Sequence, residues 1–125
     1  MANTLQSLAQ VAVTFHDMPR AVAFYRDVLG LPLMFETGGM AFFGMGGVRL
    51  MMTTAEKPEF DHPASVLYFK VASIDAAHTE LAARGARFED APHLVGKMGS
   101  TEIWMCFLRD PEEHLLGITE ERPAA

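Results

Sequence analysis

Cysteine is almost absent. Cys106 is the single one in 125 residues, so no disulfide can form within the chain and a reducing compartment is expected. Long apolar runs are missing too: no stretch reaches the roughly 18 apolar residues of a membrane-spanning helix. The first nine residues hold neither a basic start nor an apolar run of signal-peptide length, and a cytoplasmic location with no membrane partner is the expectation. Excess positive charge is absent as well. Lysine and arginine total 10 against 16 aspartate and glutamate, a formal net charge of −6. That argues against a nucleic-acid partner, whose phosphates require a basic surface. Finally, the five histidines, His16, His62, His78, His93 and His114, include no closely spaced ligand pair such as HxxxH.

What is present is a globular composition, with 50% hydrophobic and 21% charged residues, and a pattern that occurs twice. Leu8 to Phe15 alternates like a strand and leads into a helical stretch, Asp17 to Leu29, closed by Gly30. Val66 to Val71 leads in the same way into Ile74 to Arg84, closed by Gly85. Asp17 suits a helix N-cap, and Pro19 is tolerated in a first turn because its missing N–H has no helical partner there. Further strands are expected at 31–36, 40–43 and 48–53 in the first copy, and at 86–89, 101–108 and 115–120 in the second. Residues 92–100 read as a loop, Asp110-Pro111-Glu112-Glu113 as a turn, and the tail from Arg122 as frayed. A repeated unit of this kind implies two modules that bury a shared surface. Their bounds are about 7–54 and 65–121, joined by a linker at about 55–64 with two prolines.

The order βαβββ–βαβββ, with Phe24-Tyr25-Arg26-Asp27-Val28-Leu29-Gly30-Leu31 in copy one and Phe107-Leu108-Arg109-Asp110-Pro111 in copy two, resembles the vicinal oxygen chelate superfamily. That group includes glyoxalase I, extradiol dioxygenases and bleomycin-binding proteins. The resemblance implies an α+β fold: two tandem βαβββ modules form an open, cup-shaped mixed sheet with helices on its convex face. It also implies four metal-ligand positions, commonly His, Glu, His and Glu. Matching the motifs puts them on Gln10, Met51, Val66 and Gly117. Only Gln10 carries a donor suited to a hard or borderline divalent ion, so no metal and no other cofactor is expected. Relatives of this kind commonly dimerise, which makes a homodimer the expected assembly.

With the resemblance fixing the register, strand alternation turns one face of each sheet to the cup. Gln10, Ala12 and Thr14, then Arg49, Met51 and Thr53, come from the first copy. Val66, Tyr68 and Lys70, then Leu115, Gly117 and Thr119, come from the second. The 101–108 strand is apolar on both faces. Placing its more polar side inward turns Glu102, Trp104 and Cys106 to the cup. The candidate ligand-binding residues are therefore Gln10, Arg49, Met51, Tyr68 and Trp104, a mostly apolar wall with a cation able to anchor a carboxylate, phosphate or enolate. Glu102 and His93 are the candidate acid–base groups, and Met40, Met45 and Met98 are candidate pocket linings. Two functions fit. One is a metal-independent module that sequesters or carries a small organic ligand. The other is a lyase, isomerase or dioxygenase, metal-free or metal-dependent, acting on a small anionic or aromatic substrate.

Overall fold

The computed structural model describes residues 4–55 and 57–124, so residues 1–3, Glu56 of the linker and Ala125 lie outside it. Module one contains β1 (Gln10–Thr14), α1 (Met18–Ala23), β2 (Leu33–Thr37), β3 (Met40–Met45) and β4 (Val48–Thr53). After one 3-10 turn at Pro58–Phe60 comes module two: β5 (Leu67–Lys70), α2 (Ile74–Ala83), β6 (Arg87–Phe88), β7 (His93–Met98), β8 (Thr101–Arg109) and β9 (Leu115–Pro123). The helices begin where their caps stand. The Asp17 side chain accepts from Arg20 N at 3.2 Å, and the Ser73 hydroxyl from Ala76 N at 3.3 Å. They end at Gly30 and Gly85, both with positive φ. Beyond Ala23, α1 widens into a π-helical turn, Phe24–Val28, in which Leu29 N donates to Phe24 O at 3.0 Å.

Each module makes one sheet, in the order β1-β4-β3-β2 and β5-β9-β8-β6, with β7 also on β8. The pairs β1–β4 and β5–β9 are parallel and the others antiparallel. Both modules therefore share one topology, except that the second strand of module two is split into β6 and β7. Strands β1 and β5 are the inner edges, and Val11 of β1 lines one groove together with Leu67 and Phe69 of β5. Both helices lie on one side, where a single core draws Val13, Phe15, Tyr25, Leu50 and Met52 from module one and Ile74, Leu81, Cys106, Leu116 and Ile118 from module two.

Three expectations fail. Residues 93–98 form strand β7 rather than a loop; their one glycine, Gly96, sits beside a register shift between Leu94 and Gly96, and a glycine in a strand often marks such a bulge. The tail is ordered further than expected. β9 runs to Pro123 because the nine-residue β8 offers a partner along its whole length, and the Arg122 guanidinium stacks 4.3 Å above the Trp104 ring. The facing of the 101–108 strand is also reversed. Cys106 and Leu108 are paired with Ile118 and Leu116 and are fully buried on the helix side. Glu102 and Trp104 follow them to that side, and Ile103, Met105 and Phe107 face the cup. Burial of Cys106 and Leu108 outweighs the polarity of Glu102, which satisfies itself locally by accepting from Trp104 Nε1 at 3.0 Å.

The modules are joined through a buried carboxylate. Asp110, in the β8–β9 turn, is fully buried. Its Oδ2 accepts from the Tyr25 hydroxyl of module one at 2.7 Å and lies 2.8 Å from His114 Nδ1. Its Oδ1 accepts from Glu112 N and His114 N at 2.9 and 3.0 Å. The same turn caps the other module's helix: Glu112 accepts from His16 N and Asp17 N at 2.7 and 2.8 Å. Arg20 Nη2 donates to Pro111 O at 2.7 Å, and the Phe15 ring meets His114 edge-on at 4.8 Å.

Burial pushes the Asp110 carboxyl up, but hydrogen bonds from His114 and Tyr25 outweigh it, and the net shift is downward. The hydrogen bond to Asp110 raises His114 against the opposing effect of burial. The Asp110 contribution to stability is thus present above about pH 4 and lost as pH falls through its lowered value. The His114 contribution is present below about pH 6.5 and lost as pH rises through its raised value. Two outcomes follow. Tyr25→Phe should cost about 1–3 kcal/mol, since it strips a donor from a buried carboxylate. In urea titrations the wild type should lose stability as pH rises above about 6.5 and through the raised His114 value, and His114→Gln should flatten that loss. An unchanged slope in His114→Gln would refute the assignment.

Candidate functional site

On the face opposite the helices, β1 and β4 set three expected residues side by side. Gln10 is in register with Arg49, and Ala12 with Met51. The Gln10 amide bridges its neighbours: Oε1 accepts from Arg49 Nε at 3.2 Å, and Nε2 lies 3.6 Å from Met51 Sδ. This row is partly exposed, while its alternating neighbours Val13, Leu50 and Met52 are buried. Strand period 2 is the cause, with one face on the core and one left for the cup. From module two, Tyr68 is 51% exposed and lies edge-on to Phe107 at 5.9 Å.

Two cavities flank this row. A groove of about 370 Å³ at the module junction is lined by Val11, Met45, Arg49, Leu67, Tyr68 and Lys70, among others. Among the described residues its lining contains two cations and no carboxylate. Neither Arg49 nor Lys70 forms an ion pair among the described residues. A second cavity, of about 290 Å³, lies on the cup face of module one, and Met51 lines it together with Ala12, Met40 and Thr53. Gln10 therefore touches a residue of each cavity, Arg49 on one side and Met51 on the other.

The remaining candidates separate. Glu102 and Trp104, on the helix side of β8, do not belong to the cup. His93 is in register with Met105 and so lies on the cup side of β7, but its Nδ1 is held by Ala91 O at 2.9 Å, with Asp90 Oδ2 at 3.6 Å. Met40 lines the module-one cavity and Met45 the junction groove; Met98 is exposed and lines neither. Lys70 shares the cup face in sequence, yet its place beside Arg49 depends on how β5 meets the β3–β4 hairpin, which alternation within one strand does not encode. Phe60 and His62 read as linker, and no local signal marks them as cavity residues.

Residues 7–118 match the Glyoxalase/Bleomycin resistance protein/Dioxygenase superfamily. This chain belongs to that superfamily. The Bacillus subtilis protein YraH is 28% identical over 125 residues, spanning 89% of this chain and 95% of its own. A glyoxalase/bleomycin resistance protein/dioxygenase from Nocardioides has a similar structure, with a TM-score of 0.75 at 21% identity over 97% of this chain and 87% of that one. Lactoylglutathione lyase from Agrobacterium tumefaciens gives 0.71 at 23% identity, over 91% and 92%. At these identities the solved structures speak to the fold alone.

Members of the superfamily that use a metal need donors at the four matched positions, and the residues here do not fit one. Gln10 has the only hard donor, and its oxygen already accepts from the Arg49 guanidinium, a positive charge where a cation would have to sit. Met51 offers a thioether, and Val66 and Gly117 offer no side-chain donor. The fourth position is also sterically closed. A Cβ on Gly117 would stand 2.5 Å from Tyr68 Cδ2 and 2.7 Å from Cε2, so the Tyr68 ring lies where a ligand side chain would begin. Gly117→Ala should therefore displace this ring and cost about 1–3 kcal/mol. In a Tyr68→Ala background the same substitution should cost less, and a double-mutant cycle measures the difference. Additive effects would mean that the ring does not press on Gly117.

Proposed function

We propose that this protein is a metal-independent binding module that sequesters or carries a small organic acid with an apolar body. The observation that carries this reading is the junction groove. On a chain of formal net charge −6, Arg49 and Lys70 line a mostly apolar cleft with no carboxylate among its described residues. Unpaired cations beside apolar surface favour a ligand with the same two properties in complement, an anionic head and a hydrophobic body. Gln10 supports this by holding the Arg49 Nε, which leaves the two terminal nitrogens of the guanidinium for a carboxylate. Tyr68, half exposed and edge-on to Phe107, offers an aromatic face for the body.

Turnover is not required by this arrangement. Neither candidate acid–base group strengthens an enzymatic reading, since Glu102 lies on the helix side of β8 and His93 Nδ1 is held by Ala91 O. A homodimer remains our reading of the assembly. It is supported by exposed apolar side chains on both outer strands, Met34 and Phe35 on β2 and Leu94, Val95 and Met98 on β7, since open edges of this kind favour cover.

Isothermal titration with a panel of aryl and short alkyl carboxylates, 2-naphthoate among them, tests the reading. At least one member should bind, with unchanged affinity in a chelator. Arg49→Ala should weaken it about tenfold or more, and Lys70→Ala by a smaller factor, with the melting temperature little altered. No binding across the panel, binding indifferent to both substitutions, or loss in the chelator would contradict it.

A further inference from the structure

The linker does more than connect the modules. Pro58–Phe60 forms a 3-10 turn in which Phe60 N donates to Lys57 O at 2.9 Å. Two contacts fasten it to the end of β1. The Thr14 hydroxyl donates to Phe60 O at 3.1 Å, and His16 Nε2 lies 2.8 Å from Asp61 Oδ1. So held, residues 60–64 form one wall of the module-one cavity. Phe60, His62 and Ala64 face a sheet wall of Ala12, Met40, Met51 and Thr53.

The chemistry of this cavity differs from that of the groove. No charged side chain lines it among the described residues. Its apolar surface combines two thioethers and a phenyl ring with the small side chains of Ala12, Val13 and Ala64, and methionine sulfur packs favourably against aromatic rings. Phe60 is 47% exposed, so part of its ring is open to an apolar body placed in the cavity. The polar groups are the hydroxyls of Thr14, Thr53 and Thr54 and the imidazole of His62. His62 Nδ1 lies 3.1 Å from Pro63 O. A carbonyl only accepts, so this contact assigns the proton to Nδ1 in the neutral ring, whose Nε2 is then the acceptor. A volume of about 290 Å³ is well above the roughly 150 Å³ that suffices for benzene.

We infer that the linker strap builds a second compartment of the site, in which Phe60 and His62 close a cavity that takes a neutral, hydroxyl-bearing aromatic ring. The inference rests on the small-molecule reading above and extends it. One compartment selects the anionic head through Arg49 and Lys70; the other selects a phenol-like ring through Phe60, His62 and the methionines. Gln10, touching Arg49 and Met51, stands between them.

The probes are 2-naphthol and naphthalene, with the wild-type chain carrying 13C-methyl methionine and each methyl signal assigned by single Met→Leu replacements. Titration with 2-naphthol should shift the Met40 and Met51 methyl signals and leave that of the distant Met98 in place. Phe60→Ala should weaken both probes about fivefold or more, and His62→Ala should weaken 2-naphthol while sparing naphthalene, which has no hydroxyl. The inference is overturned if 2-naphthol leaves the Met40 and Met51 signals unmoved, or if neither variant changes its affinity. If 2-naphthol fails while a carboxylate still binds in an Arg49-dependent way, only the strap compartment falls. If both fail, the binding reading falls with it.

Discussion

Asp110 is a buried carboxylate whose four hydrogen-bond contacts come from its own turn and from the other module. A charge in that position is tolerated only while its partners stay in place, so the turn that carries it and the helix that carries Tyr25 are held to one relative position. The rest of the cup depends on this. β1 and β5 meet as edges without a hydrogen-bonded ladder between them, since β1 pairs only with β4 and β5 only with β9. The groove and the cavity are what lie beside that seam. The π-helical turn Phe24–Val28 is part of the same device, because it surrounds Tyr25 where the helix reaches across to the other module.

The two ends of the seam are built differently, and that asymmetry sorts structure from function. At the end of β1, the β8–β9 turn inserts Asp110, Glu112 and His114 and closes the junction with directional bonds. At the end of β5, the equivalent hairpin turn is Gly46-Gly47, which brings no side chain to lock anything. The space stays open as the groove beside Arg49, Tyr68 and Lys70. In one copy this contact holds the modules together; in the other it leaves a groove open. Gly117 lies beneath Tyr68, where a Cβ would meet the ring.

Much of this was legible in the sequence, and the parts that were not share a cause. The repeat, the helix bounds at Asp17, Gly30 and Gly85, and the alternation in β1 and β4 are local signals written within one element. The motif residues Tyr25 and Asp110 were visible individually, but their bond was not, because nothing local says that one copy's helix docks on the other's turn. The facing of β8 failed for a related reason. A strand apolar on both faces takes its orientation from its partner, and the pairing of Cys106 with Ile118 and Leu108 with Leu116 fixed it. β7 was hidden by Gly96, which reads as a loop signal and stands instead beside a bulge. Phe60 and His62 look like linker because a strap is defined by what it covers.

The central claim is that the cup holds a small organic acid without a metal. Native mass spectrometry of the protein purified without chelators, beside elemental analysis of the same sample, tests it most directly. The account predicts a chain with no stoichiometric divalent metal and, where a ligand survives purification, a retained organic mass that Arg49→Ala releases. One equivalent of zinc, nickel, iron or manganese per chain, lost on Gln10→Ala, would contradict it.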